Sequence, residues 1–323
     1  MPSIPFIALD FDCVMTSAGE LPPYKGSMLR GGLGHGLRRA CCAVRGRECA
    51  GCPLASACLF PRLFHPAGTG GRQLPPPYCL VPLDNGKTSY AEGEPFPFRL
   101  KLFSYAVEFA PYYVLAVSLM GRAGVGRGTA EGRGRFRIRD ISCGGSRVYE
   151  AAEEKLLPLP QNLLIMPETW RPSEERLSLY IELATPCRFK QEQQLSGTLD
   201  FAGLIMLALR RAKGLCQLEG LRYSLDQFQD FMQLAQSVRT VQSSLWWKDW
   251  SRWSSRQQES MQLGGLAGRM TVEGRLTPFM PFLEFARQAH IGKQTAFGLG
   301  QLRIAPGGAA RDRLDDKGEV KHG

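Results

Sequence analysis

The chain has 323 residues, of which 44% are apolar, so it can bury a sizeable core and suggests about two domains. Its 40 Lys and Arg residues against 30 Asp and Glu give a net charge of +10, which favours a polyanionic partner, nucleic acid ahead of an anionic membrane surface. No run approaches the roughly 18 apolar residues that span a bilayer, and the first residues lack the features of a signal peptide. We therefore expect a cytoplasmic protein without a membrane partner.

The first half of the chain predicts a ferredoxin-like domain over residues 1–143. Strands are indicated by alternating apolar residues, and helices by apolar residues that recur every three or four positions. The order strand, helix, strand, strand, helix, strand is that of a βαββαβ unit. The predicted elements are a strand over 7–13, a helix over 26–42, a hairpin strand over 78–83, a strand over 98–105, a helix over 107–120 and a strand over 135–141.

A second domain is predicted over residues 172–305. It follows a linker over 144–171 that mixes Gly, Glu and Pro, and it precedes a tail over 306–323 whose composition predicts disorder. The segment RLSLYIEL predicts its first strand and GLGQLRI its last. Three helix starts between them are indicated by Thr198, by Ser224 with Gln227 as a capping box, and by Thr277 with Pro278.

Four cysteines with the spacing C-x6-C-x2-C-x5-C predict a metal site within an insertion over 41–62. Four thiolates this close suit one tetrahedral zinc ion or an iron–sulfur cluster, and the spacing does not choose between them. Four cysteines leave no open coordination position, so the metal would be structural. The alternative is a set of inert buried thiols. The predicted ligands are Cys42, Cys49, Cys52 and Cys58, with Cys41 as an alternative first ligand.

The predicted first helix carries four interior glycines, Gly31, Gly32, Gly34 and Gly36, each of which costs about 1 kcal/mol relative to alanine. Such a cost is explained if a ligand or another backbone approaches closely. The leucines lie on one side of this helix, and His35, Arg38 and Arg39 lie on the other. An imidazole beside two guanidinium groups suits contact with a phosphodiester and proton exchange near neutral pH. A solvated basic face with an incidental histidine is the alternative.

Two further patterns predict contact with RNA. Every second residue from 133 to 139 is arginine, which on a strand gives a charged row at intervals of about 6.7 Å, close to the repeat of an extended phosphate backbone. The alternative is a solvent-exposed sheet face whose charged side chains only keep the protein soluble. The residues of the row are Arg133, Arg135, Arg137 and Arg139.

The segment WWKDWSRWSSRQQ holds four of the five tryptophans. On a helix, Trp246, Trp250 and Trp253 share a face, while Arg252 and Arg256 are neighbours on another. Aromatic rings interleaved with arginines suit stacking of unpaired bases and contact with their phosphates. An aromatic stripe packed between domains is the alternative.

The segment GKQTAFGLG, residues 292–300, has the glycine content of a phosphate-binding loop. A P-loop is excluded because Arg287 stands where its first glycine is needed and Gln294 where a Ser or Thr is needed. A dinucleotide fingerprint is excluded because Arg303 stands where its third glycine is needed. Nearby, His290 ends a predicted helix. The helix dipole favours a cation at that position, which explains a histidine there as well as a catalytic role does.

Three stretches together resemble the CRISPR-associated endoribonucleases that process precursor crRNA, members of the RAMP superfamily. They are YKGSMLRGGLGHGLRR with the cysteines after it, WKDWSRWSSRQQESMQLGGLAG, and the glycine-rich HIGKQTAFGLGQLRI. The resemblance covers most of residues 20–305. It departs from the family pattern at Trp253, where a tyrosine is expected.

The resemblance implies an α+β chain with two tandem ferredoxin-like domains. It also implies that the glycine-rich loop grips RNA backbone through its N–H groups, with Gly292, Lys293, Gly298 and Gly300 as RNA-binding residues. Cleavage would need no cofactor, because the ribose 2′-OH attacks the adjacent phosphate. The partners would be CRISPR repeat RNA, its crRNA product and a CRISPR effector complex.

For catalysis, the resemblance points to His35 as general base or acid. Tyr24 and Lys25 would orient the nucleophile or stabilise charge, Lys293 would neutralise the phosphate, and His290 is the competing histidine. Two other functions stay open: a RAMP subunit that holds guide RNA without cleaving it, and an iron–sulfur nucleic-acid enzyme.

Overall fold

A computed structural model describes residues 3–44, 49–68, 73–83, 86–191, 194–195, 197–249, 251–254, 259–262 and 264–307. The helices are α1 Gly26–Cys41, α2 Leu59–Phe64, α3 Ala110–Ala123, α4 Phe201–Leu218, α5 Phe228–Gln236 and α6 Met280–Ala289, with 3-10 turns at Cys49–Gly51, Ser104–Val107, Thr277–Phe279 and Thr295–Phe297. The strands are β1 Ser3–Met15, β2 Gly19–Glu20, β3 Tyr78–Pro82, β4 Ser89–Tyr90, β5 Phe98–Phe103, β6 Phe136–Cys143, β7 Ser146–Arg147, β8 Tyr149–Glu150, β9 Lys155–Leu156, β10 Leu163–Ile165, β11 Leu177–Cys187, β12 Lys190–Gln191, β13 Gln194–Leu195, β14 Arg239–Lys248, β15 Ser251–Ser254, β16 Glu259–Gln262, β17 Gly265–Gly274 and β18 Leu302–Pro306.

The first sheet has the strand order β3-β5-β1-β6-β7, with β10 beside the start of β1, and its pairs are antiparallel. Its four long strands, with α1 and α3, form the predicted βαββαβ unit. The alternation in β1 is confirmed, because Ile7, Leu9, Phe11 and Cys13 are buried in the core that α1 and α3 cover.

The second sheet has the order β14-β17-β11-β18 and is also antiparallel. With α4 and α6 it repeats the same βαββαβ connectivity, and Ile181, Val272 and Leu283 lie in its core. The α+β class with two tandem ferredoxin-like units is confirmed. Residues 144–171, predicted as a linker, contain β7 to β10, and β10 extends the first sheet.

A third apolar cluster joins the two units. The first sheet presents the face opposite its own helices, and α4 and α6 of the second unit pack on part of that face. The cluster includes Ile4, Cys79, Val81 and Phe103 from the first unit with Ala212, Leu215, Phe285 and Ala289 from the second.

Three local predictions are wrong. Helix α4 begins at Phe201, and its cap is Asp200, whose side chain accepts a hydrogen bond from the Gly203 amide at 2.7 Å, so Thr198 is not the cap. Helix α5 begins at Phe228, and no side chain caps it, so the capping box at Ser224 does not form.

The third correction concerns the tryptophan segment, which is not helical where it is described. Trp246 and Trp247 belong to β14 and pair with Ala267 and Leu266 of β17. Tryptophan is favoured in strands, and Gly268 of β17, at φ +111°, leaves room for the Trp246 ring. Trp250 and Arg256 lie outside the described residues, as does the predicted tail beyond residue 307.

Candidate nucleic-acid interface

Helix α1 presents a basic face to solvent. His35 and Arg39 are exposed and Arg38 is half-buried, while Leu29 and Leu33 on the opposite side are fully buried. This is the arrangement that the leucine period predicts. An exposed imidazole can exchange protons with a bound ligand, and the neighbouring guanidinium groups can neutralise a phosphate.

Three of the four interior glycines of α1 are explained by packing. A methyl group at Gly36 would overlap the Ala116 carbonyl of α3, one at Gly32 would overlap the Met120 side chain, and one at Gly34 would overlap the Phe64 ring of α2. Packing against α2 and α3, rather than a ligand, therefore explains these three glycines. Gly31 is different, because a methyl group there would meet nothing within 4 Å. Gly31 lies one turn before His35, on the same exposed side.

Tyr24 and Lys25, just before α1, are engaged with the protein. The Tyr24 hydroxyl donates to the Phe297 carbonyl at 2.5 Å. Burial raises the pKa of the Tyr24 phenol, and the nearby Cys79 thiol raises that pKa further. Lys25 is 1% exposed, and its Nζ donates to the Lys87 carbonyl at 2.7 Å. His35 lies nine residues beyond Gly26, about 13 Å along the helix axis. The structure therefore does not bring Tyr24 and Lys25 to the imidazole as free groups.

His290 has no solvent exposure. Its Nδ1 lies 3.2 Å from the Leu299 carbonyl, so Nδ1 carries the proton, and the buried Nε2 has no hydrogen-bond partner in the part of the chain that the structure describes. Burial, followed by the charge of Lys101, holds the pKa of His290 well below its usual range. A neutral imidazole without exposed surface cannot contact a ribose in this conformation.

The glycine-rich loop is largely buried. Gly298 and Gly300 are buried, and their amides donate to the carbonyls of Thr295 at 2.8 Å and Pro186 at 3.0 Å. These two amides are therefore not free to grip an RNA backbone, contrary to what the resemblance implies. Gly292 is half-buried at φ +82°.

Lys293 is the exposed member of the loop. Its amide donates to the Arg188 carbonyl at 2.6 Å, which anchors the backbone beneath a solvent-facing side chain. A lysine ammonium held at a fixed backbone position suits contact with a phosphate.

The arginine row lies on one exposed face, as the alternation predicts. Arg137 and Arg139 belong to β6, whereas Arg133 and Arg135 precede it. The Arg139 side chain forms an ion pair with Asp12 of β1 at 2.6 Å. Arg133, Arg135 and Arg137 form no ion pair within the described residues, so their charges are available to an anion.

The aromatic segment contributes two exposed rings on β14. Trp246 is 54% and Trp247 37% exposed, and the Trp247 Nε1 donates to Asp249 at 2.7 Å. Because neighbouring residues of a strand point to opposite faces, the two rings do not form one stacking surface. Arg252 lies in β15.

The cysteine segment does not form the predicted metal site in the parts that are described. No group of three or more His, Cys, Asp or Glu side chains is arranged there to hold a metal ion. Cys49 and Cys58 pack partly buried against the first core. Burial raises the pKa of the Cys41 thiol to about 11, with the Cys58 and Cys42 thiols as smaller causes. Cys52 lies just after the 3-10 turn Cys49–Gly51. The structural zinc or iron–sulfur prediction is therefore not supported.

Two buried cations at the junction of the units were missed by the sequence reasoning. Lys101 Nζ donates to the Gln288 carbonyl at 2.8 Å, and Arg211 Nε donates to the Ala289 carbonyl at 3.0 Å. Both carbonyls end α6, where cations are favoured. In β5, Arg99 and Lys101 alternate with Phe98, Leu100 and Leu102, which is the pattern of a solvent-exposed polar face. Nothing in the sequence signals that the other unit covers this face.

Comparison with known families finds a matching family model for each unit. Residues 181–302 match the family model described as CRISPR-associated endoribonuclease Cas6, and residues 4–161 match a model described as an N-terminal domain. The second unit is therefore similar to Cas6 over residues 181–302. The resemblance drawn from the sequence is thereby confirmed. An uncharacterized protein of Archaeoglobus fulgidus is 26% identical over 135 residues, which are 41% of this chain and 45% of that protein.

Solved Cas6 structures share the fold of the whole chain. A Cas6 product complex superimposes with a TM-score of 0.54 at 14% identity, covering 93% of this chain and 99% of that one. A partial Cas6-RT-Cas1–Cas2 complex gives a TM-score of 0.56 at 13% identity, covering 99% of this chain and 47% of that one. The match thus spans about half the length of that chain and of the Archaeoglobus fulgidus protein. Among the described residues, no helix combines the length and apolar content needed to cross a membrane.

Proposed function

We propose that this protein binds precursor crRNA and cleaves it within the repeat without a metal ion. The observation that carries the proposal is the exposed face of α1, where His35 stands beside Arg38 and Arg39 in a chain whose second unit is similar to Cas6. In the proposed reaction the ribose 2′-oxygen attacks the adjacent phosphorus and the bond to the 5′-oxygen breaks. The products are a 2′,3′-cyclic phosphate and a 5′-OH end.

His35 is the proposed acid–base group. It takes the proton from the 2′-OH or gives one to the leaving 5′-oxygen, and either role suits an exposed imidazole near neutral pH. Arg38 and Arg39 stabilise the charge that develops on the phosphorane. Tyr24, Lys25 and His290 act through the protein structure, since each is bonded or buried within it.

The RNA backbone is proposed to follow the exposed arginine row. Arg133, Arg135 and Arg137 have no competing carboxylate among the described residues, and Lys293 of the other unit offers a further cation. The proposed RNA partner accords with the product complex of a Cas6 relative. Trp246, Trp250, Arg252 and Arg256 extend the proposed RNA-binding set, and a CRISPR effector complex is the proposed destination of the product.

The test is cleavage of the cognate repeat RNA in excess EDTA, beside the same RNA with one 2′-deoxy substitution at the mapped cut site. We expect the first RNA to be cut and the second to remain intact. Cutting of the deoxy substrate, or a requirement for added metal, would refute the proposed chemistry. Tight binding without cutting of either RNA would instead identify a subunit that only holds guide RNA.

The role of His35 is tested by His35→Ala in single-turnover cleavage. We expect the rate constant to fall by about 10²–10⁴-fold, the usual contribution of a general acid or base, while the Kd for RNA changes little. His65→Ala is the matched control, because His65 is also exposed and lies outside the proposed site. Equal rates for His35→Ala and the control would remove His35 from the mechanism.

A further inference from the structure

The carbonyl groups of the glycine-rich loop, residues 292–300, accept hydrogen bonds from side chains of the first unit. The Tyr24 hydroxyl donates to the Phe297 carbonyl at 2.5 Å, and the Cys79 thiol donates to the Thr295 carbonyl at 2.8 Å. Tyr24 lies just before α1, and Cys79 lies on β3. The loop is therefore attached to the unit that carries His35.

The next two carbonyls of the loop are bound by the second unit. The Thr185 hydroxyl of β11 donates to the Gly298 carbonyl at 2.8 Å, and the Nδ1 of His290 lies 3.2 Å from the Leu299 carbonyl. Side chains of both units thus hold consecutive parts of one loop.

Two glycines allow the loop to approach the first unit closely, one at the start of α1 and one against β3. A methyl group at Gly26 would overlap the Phe297 carbonyl oxygen, and one at Gly298 would overlap the Leu80 carbonyl oxygen of β3. Gly298 also adopts φ +83°, which side-chain-bearing residues rarely adopt. The Arg30 guanidinium adds a further contact, 4.7 Å from the centre of the Phe297 ring.

We infer that the glycine-rich loop is a docking element that fixes the second unit against the start of α1. It thereby sets where His35 stands relative to RNA contacts such as Lys293, and its buried glycines serve this docking rather than phosphate binding. Tyr24 is accordingly a positioning residue, which acts on the reaction through the loop. The docking is independent of the proposed function, whereas its effect on cleavage depends on that function.

Amide hydrogen exchange tests the docking directly. We expect Tyr24→Phe and Gly298→Ala to increase exchange in the peptides that cover residues 22–33 and 292–300. Gly197→Ala is the control, because the added methyl group meets nothing within 4 Å. If Gly298→Ala does not fold, Tyr24→Phe still decides the question, since it removes one hydroxyl. Exchange in both peptides that matches the wild type would overturn the inference, whether or not the protein cleaves RNA.

Single-turnover cleavage then tests the consequence. For Tyr24→Phe we expect a rate constant lower by about tenfold, since small misplacements of catalytic groups are costly, and a Kd within about threefold of the wild type. The pH–rate profile should keep its shape because Tyr24 transfers no proton. Loss of one limb of that profile would make Tyr24 catalytic, and a Kd that rises in parallel would make the loop an RNA-binding element. Either result would overturn the inference.

His35→Ala separates the two ideas in the same assay. If it abolishes cleavage while Tyr24→Phe changes neither rate nor exchange, the docking inference fails and the proposed function stands. If His35→Ala cleaves like the wild type while Tyr24→Phe increases exchange, the docking stands and the assignment of His35 fails.

Discussion

The two candidate histidines differ in surroundings rather than in chemistry. His35 is exposed on a helix beside two arginines, whereas His290 is fully buried, and burial, followed by the charges of Lys101 and Arg211, lowers its pKa. His290 also adopts φ +59° and ψ 159°, a region occupied almost only by glycine. A strained, neutral histidine that donates to its own loop supports the structural role that we propose for His290, and exposure supports the catalytic role that we propose for His35.

Burial of His290 predicts a loss of stability in acid. The native protein keeps this imidazole neutral, whereas the unfolded chain protonates it below about pH 6.5. The unfolded state then binds more protons, so the free energy of unfolding falls as the pH falls below that value, by up to about 1.4 kcal/mol per pH unit. Urea unfolding at pH 7.5 and 5.5 measures this.

His290→Asn is the variant that isolates the effect, because asparagine retains an N–H donor and does not titrate. We expect the difference in free energy of unfolding between the two pH values to be smaller in His290→Asn than in the wild type. The same difference in both proteins would contradict a neutral native His290.

At the scale of single elements, the same residue type has different roles along one strand. On β6 and the residues before it, every second side chain is an exposed arginine, but Arg139 is already paired with Asp12 and Arg137 is opposite Val14. An ion pair reduces the charge that an arginine offers to a phosphate. The row therefore consists of one neutralised and three available cations.

Salt dependence of RNA binding checks this difference. Arg137→Ala should weaken binding and lower the magnitude of the slope of log K against log salt by about 0.7, the value for one contact to a single strand. Arg139→Ala should change the slope less, because Asp12 already neutralises that guanidinium. Arg303→Ala is the control, since Arg303 is paired with Glu182 on the other sheet. Equal slopes for Arg137→Ala and this control would remove the row from the RNA path.

At the scale of the whole molecule, the two units are joined by an apolar cluster and by polar contacts at the end of α6. Burial lowers the pKa of Lys101 to about 8, yet its ammonium is held by the Gln288 carbonyl of the other unit. Leu215 of α4 is fully buried in the same junction. Because these side chains join the two units, we expect the units to unfold as one cooperative structure.

Leu215→Ala tests the cooperative junction. We expect the free energy of unfolding to fall by about 2–5 kcal/mol, the usual cost of a buried leucine, with the single thermal transition separating into two. Calorimetry measures both. Leu115→Ala is the control, because Leu115 is 44% exposed on α3 and should cost less than about 1 kcal/mol. Equal small effects of the two substitutions would mean that the junction does not stabilise the fold.

The sequence by itself determined the two ferredoxin-like units, the resemblance to CRISPR-associated endoribonucleases and the exposed faces of α1 and β6. These properties depend on local periodicity and on motifs, which are readable along the chain. The helix predicted around Trp250 was wrong where the structure describes it, because pairing with β17 outweighs the local pattern at Trp246 and Trp247.

Only the tertiary structure decided which predicted groups are free to act. The sequence offered four residues as catalytic or RNA-binding groups that the fold occupies with other contacts: Tyr24, Lys25, His290 and Gly298. Three of them form hydrogen bonds with segments more than 60 residues away, whereas His290 is buried and bonds locally to Leu299. Burial and hydrogen-bond partners depend on which distant segments meet, and no local pattern records that. This is why the sequence ranked His35 ahead of His290 only through the family resemblance, whereas the fold separates the two by burial.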